Sequence, residues 1–139
     1  MPSLDKCSAL ATKTAPTLAD IEALALRALA GIPELFKREL GPVVIRVEEL
    51  PDEETEAEMR LENPFDLLGL YRGAPLPRRS VSDAQPAIDM VFLYRRSILD
   101  YWCESGEDLF DVIRHVLIHE IGHHFGFSDE DMERIERAK

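Results

Sequence analysis

The sequence lacks long apolar runs, has few cysteines and carries far fewer basic than acidic residues. Its two cysteines, Cys7 and Cys103, have no spacing typical of a disulfide framework or a cysteine-bound metal. No stretch reaches the roughly 18 to 20 apolar residues that cross a bilayer, and the start of the chain lacks the apolar segment of a secretory signal. We therefore expect a cytoplasmic protein with free thiols and no membrane partner.

The charge balance bears on possible partners. Sixteen Lys and Arg residues stand against 27 Asp and Glu residues, which gives a formal net charge of -11. A protein that binds nucleic acid normally presents a basic face, because cationic contacts release counterions from the phosphates. We therefore expect no nucleic-acid partner, and the acidic excess favours a neutral or basic substrate.

Length and composition are typical of one globular domain. The chain has 139 residues, of which 45% are hydrophobic and 31% charged. Residues 1–16 mix Ser, Thr, Lys and Pro without periodicity, which predicts a flexible N-terminal arm. The predicted domain covers residues 17–139 and contains no internal repeat.

Apolar patterns within the domain predict helices and short strands. Thr17 is a suitable N-cap for a helix that ends near Ala30, and a second short helix is predicted over 36–40. The acidic stretch 52–62 is predicted to be a solvated helix or loop. Three short apolar runs predict strands at 43–47, 67–71 and 87–94. These elements predict an α+β fold with a small sheet.

A further helix is predicted to lead into a cluster of histidines. Ser105 and the two acidic residues after Gly106 predict a helix that begins near Gly106, because a hydroxyl cap and acidic residues satisfy its first amides. An apolar stripe then predicts that this helix is buried: Leu109, Val112, Ile113, Val116 and Leu117. His119, Glu120 and His123 follow on the same helix.

The spacing of these three residues suits a metal site. Helix positions four apart differ by about 40° in direction and about 6 Å in height, so His119 and His123 can converge on one ion. Glu120 lies about 100° round from His119 and is predicted to act as a general base. A bound zinc ion lowers the pKa of its water from about 16 toward 7, which makes hydroxide available.

A catalytic zinc site normally has a third protein ligand, and Asp129 is the candidate. Gly126 can adopt the left-handed conformation that ends a helix. Ser128 and Asp131 resemble the capping pattern of a new helix. The chain is therefore predicted to turn just after His123 and to bring the Asp129 carboxylate back toward the metal.

The two remaining histidines are predicted to lie outside the ligand set. His115, His119 and His123 occupy three successive turns that span about 12 Å, too far for all three rings to bind one ion. Pairing His115 with His119 would leave Glu120 and Asp129 without a role, so His115 is predicted to be structural or to support the ligands. His124 lies off the stripe. The alternative for all four histidines is hydrogen bonding within the core.

Residues 119–129, HEIGHHFGFSD, resemble the zincin-like metallopeptidases called minimal zincins, whose pattern is His-Glu-x-x-His-x-x-Gly-x-x-Asp. Segments 67–79 and 88–98 are also similar to recurrent segments of that family. The resemblance implies a small mixed sheet packed against the metal helix. It also implies one zinc ion bound by His119, His123 and Asp129, with Glu120 as the catalytic acid and base.

Together these features predict a zinc-dependent metallopeptidase-like hydrolase, in which Glu120 activates a zinc-bound water for attack on a peptide carbonyl. The expected substrate is a peptide or an unfolded protein, added as an extended segment to the strand at 87–94. Two alternatives stay open: a zinc-stabilised peptide- or protein-binding module without turnover, and a metal-dependent ribonuclease. The acidic charge and Glu120 count against the ribonuclease.

Overall fold

The elements of the fold alternate between helices and short strands. The computed structural model describes residues 14–38, 40, 42–73 and 89–137. In chain order the elements are α1 (Leu18–Ala30), α2 (Glu34–Lys37), β1 (Val43–Glu48), α3 (Glu53–Glu58), a 3-10 turn (Pro64–Asp66), β2 (Gly69–Arg72), β3 (Asp89–Tyr94), α4 (Arg95–Ser105), α5 (Leu109–Phe125) and α6 (Asp129–Arg137). A small mixed sheet with helices is an α+β fold, as predicted.

The described part of the sheet has three strands in the order β1-β3-β2. β1 runs parallel to β3, with Val43 opposite Asp89, and β2 runs antiparallel to β3, with Gly69 opposite Leu93. β3 is therefore paired along both edges. The prediction that an extended peptide adds to this strand is wrong for residues 89–94, because their backbone groups already serve β1 and β2. Residues 87 and 88 lie outside the described ranges.

The core lies where α1 and α5 pack beside the sheet. Ile21 and Ala25 of α1, Val91 and Leu93 of β3, and Ile113 and Leu117 of α5 are all fully buried. At roughly 25 cal/mol per Å² of apolar area removed from water, this cluster is the main source of stability. α5 is therefore fixed along its apolar stripe, as the sequence predicts.

The helix ends follow capping chemistry. Thr17 and Asp20 form a reciprocal capping box at the start of α1, which confirms the predicted helix from Thr17 to Ala30. The second short helix occupies Glu34–Lys37 rather than 36–40. Within the acidic stretch, Asp52 caps α3 by accepting a hydrogen bond from the Thr55 backbone N–H at 2.8 Å.

The predicted start of the metal helix is wrong by a few residues. Ser105 is the last residue of α4, and Gly106 ends that helix in the left-handed region at φ 71°. Asp108 is the N-cap of α5, because its carboxylate accepts from the Asp111 backbone N–H at 3.3 Å. Serine and glycine here end one helix before an aspartate begins the next.

Two predictions concern the chain outside this core. Residues 1–13 of the predicted arm lie outside the described residues, and Pro16 near its end accepts a hydrogen bond from Arg95 Nε at 2.7 Å. No helix in the described ranges is long and apolar enough to cross a membrane.

Candidate metal centre

Three histidine rings form a row along the exposed side of α5, close to its C-terminal end. The ring centroids of His115 and His119 are 4.2 Å apart, and those of His119 and His123 are 5.7 Å apart. His119 is half-buried, whereas His115 and His123 are exposed. The row follows from the i, i+4 spacing, because side chains four apart lie on one face of a helix. The predicted pair, His119 and His123, therefore shares a face.

Glu120 lies round the helix from this row, against strand β2. Glu120 is half-buried, and the Tyr71 backbone N–H lies close enough to act on its carboxylate. Burial raises the pKa of Glu120, while the charge of His123 and the Tyr71 N–H act in the opposite direction. The carboxylate thus lies near both β2 and the row of histidines.

The pKa of His119 reflects its surroundings. Burial lowers it first, and the charges of His115 and His123 lower it further, whereas those of Glu136 and Asp129 raise it. A lowered pKa keeps the imidazole neutral near pH 7, which is the form that binds a metal.

The turn after α5 has the predicted geometry. Gly126 adopts φ 73° and ends the helix. Ser128 Oγ accepts from the Asp131 backbone N–H at 3.1 Å, and the Asp131 carboxylate accepts from the Ser128 N–H at 3.4 Å. This confirms the capping pattern at the start of α6, where Asp129 is the first helical residue.

The predicted ligands are suitable for zinc in donor type and in exposure. Asp129 is exposed and lies close enough to His119 for its charge to raise the pKa of that ring. Two imidazoles and one carboxylate are a donor set that zinc accepts. Because the side chains of His123 and Asp129 are exposed, they can turn toward an ion. The set His119, His123 and Asp129 stays a prediction.

A different trio is already gathered. Among the described residues, one group of potential ligands has its donor atoms within 4.8 Å of one another: His115, His119 and Glu136. His115 Nδ1 lies 2.6 Å from Glu136 Oε1. Glu136 is the functional candidate that the sequence analysis missed, since nothing in its spacing links it to a histidine 21 residues earlier. The sequence shows only that Glu136 follows Ile135, which together with Met132 forms the apolar side of α6.

His124 faces away from the row of histidines. Its ring stacks on the Tyr71 ring, with centroids 3.8 Å apart and planes at 18°. This contact fixes the end of α5 against β2 and agrees with the prediction that His124 lies off the ligand stripe. Tyr71 therefore faces α5 with its ring on His124 and with its backbone N–H near Glu120.

A hollow of about 510 Å³ opens beside the N-terminal end of the row. Its lining includes Tyr101, Asp111, His115 and Glu136. An ion or a polar group can therefore reach His115 and Glu136 from solvent.

Comparison with known proteins identifies the family of the chain. A protein-family model described as zincin-like metallopeptidase matches residues 40–138, which include the sheet, the row of histidines and α6. No curated protein matches the chain. Since the matching region covers most of the 139 residues, the chain belongs to the zincin-like metallopeptidase family.

Proposed function

We propose that the protein is a zinc-dependent metallopeptidase, with one zinc ion held by His119, His123 and Asp129 and with Glu120 as the general base. The observation that carries the proposal is the placement of Glu120. Glu120 is half-buried beside two histidines that share one face of α5, and the Tyr71 N–H lies close to its carboxylate. A packing role alone gives no reason for a partly buried carboxylate beside two imidazoles.

The chain supplies proton transfer and positioning. A bound zinc ion supplies a Lewis acid and brings the pKa of water toward about 7. Glu120 takes the proton of the attacking water and returns it to the amide nitrogen as the peptide bond breaks. Partial burial raises its pKa, which suits a group that first accepts and then donates a proton near neutral pH.

The substrate is proposed to lie along β2. β3 has no free edge, whereas β2 has a strand neighbour on one side only within the described part of the chain. The Tyr71 N–H of β2 lies close enough to Glu120 to lower its pKa, so a peptide extended beside this strand passes close to the general base.

The test combines zinc content with cleavage of a peptide library. We expect the wild-type chain to bind one zinc ion and to cut peptides. Glu120→Gln keeps the ion but lowers the cleavage rate by roughly 10² to 10⁴, the usual contribution of a general base. Glu22→Gln is the matched control, because Glu22 is an exposed residue of α1 and should leave both zinc and cleavage unchanged.

The same preparations should be offered labelled RNA, with a chelator control in each assay. Cleavage of RNA alone would assign the protein to the ribonucleases. Zinc binding with no cleavage of either substrate would favour a zinc-stabilised binding module. Absence of metal from protein purified without chelator contradicts the proposal altogether.

A further inference from the structure

Two overlapping sets of ligands share His119. The predicted catalytic set uses His119 with His123 and Asp129, while the gathered trio uses His119 with His115 and Glu136. The His119 ring lies closer to His115 than to His123, at 4.2 Å against 5.7 Å between ring centroids. The His119 ring therefore lies on the side of His115 and Glu136 rather than on the side of His123.

The trio is built by helix packing. His115 and His119 are one turn apart on α5, and Glu136 comes from the last turns of α6. The buried Arg114 of α5 holds that end of α6 through hydrogen bonds to the carbonyls of Ile135 and Glu136, at 2.6 Å and 2.7 Å. Glu136 is thus brought to the two rings by a fixed contact between helices.

An ion pair between His115 and Glu136 would by itself explain their 2.6 Å contact. The i, i+4 spacing adds His119 to this pair, because it brings a donor atom of that ring within 4.8 Å of both. Ligand atoms around a tetrahedral zinc ion lie about 3.4 Å apart. Side-chain rotations that move the donor atoms by about 1 Å would therefore complete the site. The adjoining hollow gives an ion access from solvent and room for a water ligand.

We propose that His115, His119 and Glu136 form a second zinc position, which competes with the catalytic position for His119. A neutral imidazole has one nitrogen available as a ligand at a time, so full occupation of one position excludes full occupation of the other. Zinc held by His115 and Glu136 withdraws His119 from Asp129. The protein thus has two zinc-bound forms, and only one of them contains the complete catalytic set.

The first test removes the catalytic ligands and measures zinc. His123→Ala combined with Asp129→Ala should still bind one zinc ion per chain in native mass spectrometry. Adding His115→Asn should abolish that binding, because asparagine is a poor zinc ligand. It keeps a polar side chain that can donate a hydrogen bond to Glu136. Glu133→Gln in place of His115→Asn is the matched control, since Glu133 is an exposed residue of α6, and it should leave the ion bound.

Two outcomes overturn the proposal: no zinc in the His123 and Asp129 double variant, or zinc that persists after His115→Asn is added. Circular dichroism checks that the double variant folds. Should it not fold, a zinc titration of the wild-type chain followed through the imidazole 15N signals replaces it. A shift at His115 is expected, and an unchanged His115 signal overturns the proposal.

A second test rests on the proposed function. Where the two positions bind zinc equally well, half of the loaded chains are inactive, so His115→Asn should raise activity per bound zinc about twofold. The two proposals can fail separately. Zinc bound by the double variant without peptide cleavage by the wild type contradicts the peptidase alone, whereas cleavage without zinc in the double variant contradicts the second position alone.

Discussion

Arg114 of α5 donates a hydrogen bond through Nη2 to the backbone carbonyl of Ile135 in α6, at 2.6 Å. Its Nη1 reaches the next carbonyl, that of Glu136, at 2.7 Å. Carbonyls in the last turn of a helix have no partner within that helix, so a buried guanidinium here satisfies them. Its positive charge also interacts favourably with the negative end of the helix dipole. Arg114 therefore fixes α6, which carries both Asp129 and Glu136, on the helix that carries the histidines.

Replacing Arg114 with methionine should lower both stability and zinc affinity. Methionine keeps much of the aliphatic volume but leaves two carbonyls without their charged donor. Hydrogen bonds to charged groups each contribute about 1.5 to 3 kcal/mol, so the loss of two should lower the free energy of unfolding by about 3 to 6 kcal/mol. Urea unfolding of the metal-free chain measures this loss, and zinc titration measures the effect on the site.

Arg114→Lys is the matched variant, because an ammonium is a compact charge without the rigid guanidinium fork. We expect Arg114→Lys to lower the free energy of unfolding by less than Arg114→Met does. Equal stability of the wild-type chain and the methionine variant would show that α6 is held by its apolar contacts alone.

Local chemistry made much of the fold predictable. Thr17 and Gly126 were identified as helix ends because capping and the left-handed conformation depend on single residues and their immediate neighbours. The same reasoning wrongly predicted a helix start at Ser105, because a serine followed by a glycine is also common where a helix ends. The sequence patterns predicted no element over Arg95–Ser105, where few apolar residues mark a buried face.

Part of the candidate site could also be predicted from local spacing, and part depends on how the helices pack. The spacing of His119 and His123 predicts a shared face, because both lie on one helix and its geometry is fixed. Glu136 reaches the histidines only through the packing of α6 on α5, and sequence spacing contains no record of that contact. Arg114 likewise meets its carbonyl partners only through this packing, so spacing could not predict its role.

The cap of α3 predicts how stability depends on pH. The side-chain hydrogen bond with Thr55, and then the Thr55 backbone N–H, lower the pKa of Asp52 below its ordinary 3.8. Ionised Asp52 therefore stabilises the folded chain above that pH, and this contribution is lost as pH falls through the lower folded value. Asp52→Asn removes the charge but keeps a capping oxygen.

The measurement is urea unfolding of both chains at about pH 6 and about pH 2.5, above and below the ordinary carboxyl pKa. We expect the wild-type chain to lose more stability than Asp52→Asn between the two. The same difference at both pH values would mean that the charge of Asp52 plays no part in capping.

Gly126 and Gly31 form a matched pair of helix-end glycines. Gly126 has φ 73°, whereas Gly31 has φ -85° and space for a side chain, since a Cβ would lie 3.6 Å from its nearest neighbours. A side chain in the left-handed region costs about 1 to 2 kcal/mol, so Gly126→Ala should destabilise the chain by about that amount. Gly31→Ala should stabilise it by about 0.4 to 1 kcal/mol, because alanine restricts the unfolded state. Thermal unfolding of the two variants checks the signs, and equal effects would contradict this account.

Gly122, inside the metal motif, allows α6 to approach α5. A Cβ there would collide with Met132 Sδ and lie 2.8 Å from Met132 Cγ. Overpacking of this kind costs about 1 to 3 kcal/mol, against up to about 1 kcal/mol regained in helix propensity. Gly122→Ala should therefore lower stability and, by displacing α6, weaken zinc binding. In a Met132→Ala background the collision is gone, so Gly122→Ala should cost nothing further there. A cost that is the same in both backgrounds would show that Met132 is not what requires glycine between the two histidines.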